Sequence, residues 1–287
     1  MLQEELLRQI RLIDLKVRRQ VESSLQGAYH TLFKGHGLEF QEVREYTEGE
    51  DARLMDWNVT ARMGKPFVRV YREERELTVM VAVDISASTR FGRAWSGREV
   101  MATLGAALAF SAIRNSDKAG LILFSDRIEE YIPPRRGRNH LLTIIRALLT
   151  TPARGRRTDP DVPFRFINKA MKKKSLLFFL SDMYFGSLPD SASIAARRHE
   201  IVPVGVFDRM SYAAEKSAFI RVKDPESGVM RVLDFSEAAD HRWGNFKKEK
   251  EDSFKRLGAT PIWVENRSDF INDLVLGFKK MERKSAR

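Results

Sequence analysis

"LTVMVAVDISAS" (residues 77–88) begins as an apolar strand and ends in one carboxylate and two hydroxyls. Val79 to Val83 form an unbroken apolar run, the pattern of a strand covered on both faces. Asp84, Ser86 and Ser88 then follow at a spacing of two, so in extended backbone they point the same way. Downstream, strand-like and helix-like segments alternate. "AGLILFS", "SLLFFLSD", "EIVPVGVF" and "TPIWVE" read as strands, and "RIEEYIPP" as a short edge strand stopped by prolines. "GREVMATLGAALAFSAIRN", "RNHLLTIIRALLT", "DVPFRFINKAMKK", "LPDSASIAARR", "GNFKKEKEDSFKRLG" and "SDFINDLVLGFKKM" read as helices. The alternation predicts an α/β fold: a doubly wound, mostly parallel sheet with helices on both faces. Such sheets bind ligands outside the carboxyl ends of their strands. Asp84 stands there, as do Asp126 in "LILFSD" and Asp182 in "LFFLSD".

Upstream of this run the character changes. Leu2, Leu6, Ile10, Ile13, Val17 and Val21 recur at three and four, which predicts an amphipathic helix over residues 2–25. Residues 26–76 carry many charges and no sustained period. The expected organisation is an N-terminal helical and irregular extension (1–76) packed on a main domain (77–280), followed by a basic tail (281–287). A chain of 287 residues can hold one large α/β domain plus such an extension.

Composition excludes several classes. With no cysteine there is no disulfide, thiolate zinc site or cysteine nucleophile. The absence fits a reducing compartment. The N-terminal "MLQEELLRQI" places glutamates where a signal peptide carries positive charge. The apolar runs fall short of the roughly 18 residues of a membrane span. A cytoplasmic protein without a membrane span is expected. The formal charge of +11 invites a nucleic-acid reading. However, "RRGR" (135–138), "RGRR" (154–157) and "KKK" (172–174) are not interleaved with aromatics as a single-strand platform would be. No nucleic-acid partner is expected.

Competing chemistries fail on motif. GxSxG and GxGxxG are absent. "GRAWSGRE" (92–99) has P-loop glycine spacing but places Arg98-Glu99 where Lys-Ser/Thr is required. His199 and His241 read as surface or packing residues. No nucleophile–base pair emerges, so no enzyme is expected. The oxygens of Asp84, Ser86 and Ser88 suit a hard cation, Mg²⁺ or Mn²⁺, rather than zinc. Serines here also cap a following turn or helix; the whole triplet at the end of an apolar strand favours metal.

"DISAS" resembles the DxSxS of the metal-ion-dependent adhesion site in von Willebrand factor A domains. The upstream "EFQEVREY" (39–46), a glycine-acid turn, "MDWNVTAR" (55–62) and "GKPFVR" (64–69) resemble the bacterial MoxR-associated family catalogued as domain of unknown function fifty-eight. That match spans about residues 27–92, and the rest to about residue 280 matches more loosely. "DPESG" (224–228) is similar to a hairpin turn of that family. The resemblance implies a von Willebrand factor A-like domain whose metal ligands are Asp84, Ser86, Ser88, Thr158 and Asp182. Thr158-Asp159-Pro160 also reads as a helix N-cap, and Asp126 rivals Asp182; the order of elements favours Asp182. The loop before Thr158 carries "RGRR" where the family is often glycine-rich, and Thr89 stands where many members have methionine.

The implied function is a metal-dependent protein-interaction module working with a MoxR-type AAA+ ATPase in assembly or activation of a client. An acidic partner side chain would complete the metal site. Arg154, Arg156 and Arg157 would draw that partner in. The alternatives are a metal-dependent phosphoester hydrolase and a nucleic-acid-binding protein. Trp57 is expected to be buried against the sheet domain, with Asp56 held by an arginine.

Overall fold

The computed structural model describes residues 25–33, 39–72, 77–90, 95–208, 219–223, 226, 228–234, 239–267 and 269–285. The helix expected over residues 2–25 therefore lies, but for Leu25, outside the described residues. The chain divides into two compact units, Phe33–Leu77 and the remainder.

The larger unit is built on six strands: β3 (Thr78–Asp84), β4 (Lys118–Phe124), β5 (Ile128–Arg135), β6 (Leu176–Ser181), β7 (Glu200–Phe207) and β10 (Ile262–Glu265). Their order is β10-β7-β6-β3-β4-β5, and every neighbouring pair is parallel except β4 with β5. β5 is the edge strand that "IEEYIPP" predicts, where Pro133 and Pro134 can sit without breaking an interior ladder. Every residue from Val79 to Asp84 is buried, and so is every residue from Leu176 to Ser181. That explains their unbroken apolar pattern.

Helix α3 (Gly97–Arg114) follows β3 and is buried along most of its length. Its start is set by a capping box, in which the Ser96 hydroxyl accepts from Glu99 N and the Glu99 carboxylate accepts from Ser96 N. Its small residues allow close approach to the sheet. A Cβ on Gly105 would stand 3.3 Å from Leu148 and 3.5 Å from Val81. On another part of the core, Phe179 stacks with Phe124 (5.5 Å) and Phe164 (5.1 Å).

Helices α4 (Arg138–Thr150), α5 (Asp161–Ala170), α6 (Asp190–Ala196), α7 (Ala239–Lys255) and α8 (Phe270–Ser285) complete the layers. Helix α8 runs to Ser285, so the expected basic tail begins as its last turn. The short helix α1 (Gln26–Leu32) belongs to this larger unit, where the Tyr29 hydroxyl donates to Asp117 Oδ2 at 3.0 Å. An antiparallel hairpin, β8 (Phe219–Lys223) with β9 (Met230–Asp234), is inserted between β7 and α7. Among the described residues no helix is long and apolar enough to cross a membrane.

The smaller unit pairs β1 (Glu39–Glu45) antiparallel with β2 (Phe67–Arg72) around helix α2 (Trp57–Met63). Asp56 caps α2, accepting from Asn58 N and Val59 N, and Arg69 Nε donates to its Oδ2 at 2.7 Å. This is the arginine partner expected for Asp56. These bonds hold the Asp56 carboxyl below its usual range, the arginine contact contributing most. Trp57 corrects the expectation: it is 68% exposed. The cap turns Asp56 inward, and the next residue, opening the helix, faces solvent.

Candidate metal centre

The strand order places the site. From β3 the chain passes through α3 to β4 on one side, while β6 lies on the other and continues outward to β7. The crevice at the carboxyl ends of β3 and β6 is therefore where connections diverge, the position at which open α/β sheets bind ligands. Asp84 is the last residue of β3, and Asp182 is the first beyond β6.

Asp84 is fully buried. Its Oδ1 accepts from Ser86 N at 2.9 Å, and its Oδ2 accepts from Ser181 Oγ at 2.8 Å. Ser86 Oγ lies 3.0 Å from Ser88 Oγ and 2.8 Å from Thr158 Oγ1. Thr89, also buried, closes the turn by donating to Ser86 O at 2.8 Å. Its hydroxyl bonds to a backbone carbonyl rather than to a candidate ligand side chain, so the departure from methionine removes no candidate donor. Asp182 Oδ1 accepts from Tyr184 N at 3.0 Å, and the Ser88 hydroxyl bonds to its carboxylate. The structure thus brings together all five predicted ligands: Asp84, Ser86, Ser88, Thr158 and Asp182.

Thr158 arrives on the loop between α4 and α5, which is tied from several directions. Ala87 N donates to Arg156 O at 3.0 Å, and Asp159 N donates to Ser125 O at 3.2 Å. Glu129 Oε1 accepts from Ser125 Oγ (2.6 Å), Arg154 N (2.9 Å) and Gly155 N (2.7 Å). Gly155 fits closely: a Cβ there would meet Asp126 Oδ1 and Ser125 Oγ at 2.2 Å, so those side chains would have to shift. Thr158 does not cap α5. The Asp159 carboxylate accepts from Asp161 N at 2.9 Å, which leaves the Thr158 hydroxyl directed to the crevice. Asp126, the rival to Asp182, instead pairs with Arg127 at 3.0 Å. Arg154, Arg156 and Arg157 are exposed on this loop, beside the site.

The loop carrying Asp182 is also braced. Met183 has φ 63°, a left-handed conformation uncommon for a residue with a side chain, and its N–H donates to Ser181 Oγ at 3.0 Å. Lys250 of α7, 3% exposed, donates to Phe185 O and, at 3.1 Å, to Gly186 O. Its ammonium lies 5.0 Å from the Phe185 ring centroid.

Electrostatics give the crevice its character. Burial, and then the charge of Asp182, push the Asp84 carboxyl up to about 7, against bonds from Ser86 and Ser181 that pull it down. Burial also raises Asp182, opposed by Ser88 and the Tyr184 amide. Among the described residues neither carboxylate is ion-paired to a lysine or arginine. Two buried like charges with a fringe of hydroxyls fit a hard divalent cation, which would offset the charge and accept oxygen donors. Among the described residues no three carboxylate or imidazole side chains are grouped to hold a metal. A cation held here would have to draw on the hydroxyls as well as the two carboxylates.

Ser181 and Glu226 escape the sequence reading. Ser181 precedes Asp182 at the carboxyl end of β6, and that position is a usable signal. Glu226 sits between β8 and β9, and its Oε1 accepts from Thr158 N (3.2 Å) and Thr158 Oγ1 (3.0 Å). His199 is the packing residue expected: it is buried, with Nδ1 2.8 Å from Ser175 Oγ at the opposite end of β6.

Comparison with known proteins identifies the family. Residues 42–253 match the family described as "Protein of unknown function DUF58", and the chain belongs to it. It is 28% identical over 279 residues to the uncharacterized protein Rv1480 of Mycobacterium tuberculosis, covering 93% of this chain and 86% of that protein. Among solved structures, it resembles the conserved hypothetical protein BatB of Bacteroides thetaiotaomicron (TM-score 0.48, 15% identity, 72% of this chain and 99% of that one). A further likeness is to proximal thread matrix protein 1 of the mussel byssus with a zinc-occupied MIDAS motif (TM-score 0.37, 15% identity, 46% and 38%). At these scores the fold rests on the strand order rather than on the likenesses.

Proposed function

We propose that this member of the DUF58 family is a metal-dependent docking module that engages an acidic side chain of a protein partner. The observation that carries the reading is the convergence of Asp84, Ser86, Ser88, Thr158 and Asp182, from three separate loops, at one crevice. A bound Mg²⁺ or Mn²⁺ would supply a positive centre with coordination positions open to a partner's oxygen. Asp84 and Asp182 would offset its charge. Ser181 and the Ser86 amide hold the Asp84 carboxylate in one orientation, so the donor set is formed before a partner arrives. The exposed Arg154, Arg156 and Arg157 favour encounter with an acidic surface and discourage a basic one.

The site works by docking rather than turnover. Its serines are bonded to carboxylates and to each other, not to a histidine. The one Ser–His contact among the described residues, Ser175 with His199, is buried at the other end of β6. The resemblance set out above supports a MoxR-type AAA+ ATPase, or its client, as the partner. An ATP-driven partner sets the complex in the cytoplasm, where the nucleotide is.

Co-purification tests this. A tagged wild-type chain is expected to retain a MoxR-type ATPase from its own cells in Mg²⁺ and to lose it in chelator. Asp84→Ala is expected to lose it in both. Equal retention by wild type and Asp84→Ala would overturn the docking reading.

A further inference from the structure

The turn between β8 and β9 reaches back to the crevice. Glu226 Oε1 accepts from both the amide (3.2 Å) and the hydroxyl (3.0 Å) of Thr158, 68 residues away in sequence. Thr158 Oγ1 is itself 2.8 Å from Ser86 Oγ. The Glu226 carboxylate thus stands one hydroxyl away from the DxSxS segment. Asp84 and Asp182, on the far side of those hydroxyls, are not ion-paired to a lysine or arginine among the described residues, and the charge of Arg98 reaches Asp84. The hairpin holds the Glu226 carboxylate there, on a rim that carries Arg154, Arg156 and Arg157.

We infer that Glu226 is an internal stand-in for the acidic partner: it occupies the Thr158 corner of the docking site, and an incoming carboxylate must displace it. This rests on the docking reading above. Glu226 satisfies the Thr158 donors that a partner's oxygen would otherwise meet, and it contributes the negative charge that such a partner would bring. Its removal opens the corner to any external carboxylate. The partner's net affinity is then lower than its contacts alone would give, because each binding event must first release Glu226. Only a partner with a well-placed acidic group overcomes this competition, so Glu226 determines specificity.

Mn²⁺ and acetate serve as probes. Mn²⁺ affinity is measured by calorimetry in wild type, Glu226→Ala and Glu226→Gln, with and without acetate. In Glu226→Ala, acetate is expected to tighten Mn²⁺ binding by roughly fivefold or more, within the usual range for coupled sites. In wild type, whose corner is already filled, it should change binding little. Glu226→Gln keeps the shape and an acceptor but loses the charge, and should fall between them. Hydrogen exchange supplies a second readout: the β8–β9 amides should exchange faster in Glu226→Ala, which has lost the bonds to Thr158, than in wild type. Equal acetate effects in wild type and Glu226→Ala, with Mn²⁺ bound to both, would overturn the role of Glu226 alone. Failure of Mn²⁺ to bind either protein would overturn the metal-site reading and this inference with it.

Discussion

The six-stranded unit and the Phe33–Leu77 unit are held by different physics. In the former, whole strands and most of α3 are buried, and rings such as Phe179 are enclosed by other rings. In the latter, the fixed points are polar: the Asp56 cap with Arg69, the Arg44–Glu50 ion pair and the Gly64 turn at φ 68°. Its tryptophan faces solvent while Val68 is enclosed. Apolar enclosure tolerates little loss of volume, because neighbours collapse only partly into a void. A surface held by caps and ion pairs keeps its large side chains available for contact. The contrast teaches that a residue's size does not say where its energy goes; its place in the backbone hydrogen-bonding pattern does.

Four changes break or sharpen that contrast. Phe179→Ala removes a fully buried ring and should destabilise by about 3–5 kcal/mol in denaturant titration. Gly155→Ala drives a methyl into Ser125 and Asp126 and should cost about 1–3 kcal/mol by overpacking. By displacing Thr158, it should also weaken the thermal response to Mg²⁺. A cost near zero with a normal Mg²⁺ response would mean that the loop is looser than its bonds to Glu129 indicate.

The third change concerns charge. Asp84→Asn keeps the shape but removes a buried like charge, so without metal its melting temperature should match or exceed that of wild type. Mg²⁺ should raise the wild-type melting temperature by mass action and leave the variant unmoved. The pH dependence has a definite sign. The Asp84 carboxyl titrates at about 7 in the fold and near 3.9 when unfolded. The folded state therefore binds the extra proton between those values, and this group's contribution to metal-free stability falls as pH rises from about 4 to about 7. Asp84→Asn should flatten that fall; an unchanged slope would assign it to other groups. The smallest effect is expected for Trp57→Ala, within about 0.5 kcal/mol. A loss as large as that of Phe179→Ala would erase the contrast.

Legibility followed the same division. Continuous apolar runs and small-residue helices announce enclosed elements, and the parallel sheet, its edge strand and its helices could all be read that way. The strands of the β1–β2 and β8–β9 hairpins could not be read from pattern, because "EFQEVRE" and "FIRVK" mix charge into their alternation; the β8–β9 turn itself was marked by the family likeness of "DPESG" (224–228), and the hairpin stands there. Asp84, Ser86 and Ser88 were legible as a contiguous motif. Thr158 and Asp182 needed the family resemblance, since spacing alone left Asp126 and a helix cap as rivals. The turn holding Glu226 was marked by the resemblance, but its role was out of reach because its contact with Thr158 spans 68 residues. Trp57 was misjudged because burial was inferred from residue type, whereas the Asp56 cap decides which way the first turn faces.

One stretch of chain, from Glu226 to Lys250, touches the crevice twice. It grips Thr158 at one end and the carbonyls behind Asp182 at the other. No strand of the six-stranded sheet lies between those two anchor points in sequence. A single proteolytic cut between them would therefore leave every rung of the sheet in place while severing the covalent tether that joins the two corners. Each corner would then answer to its own anchor alone.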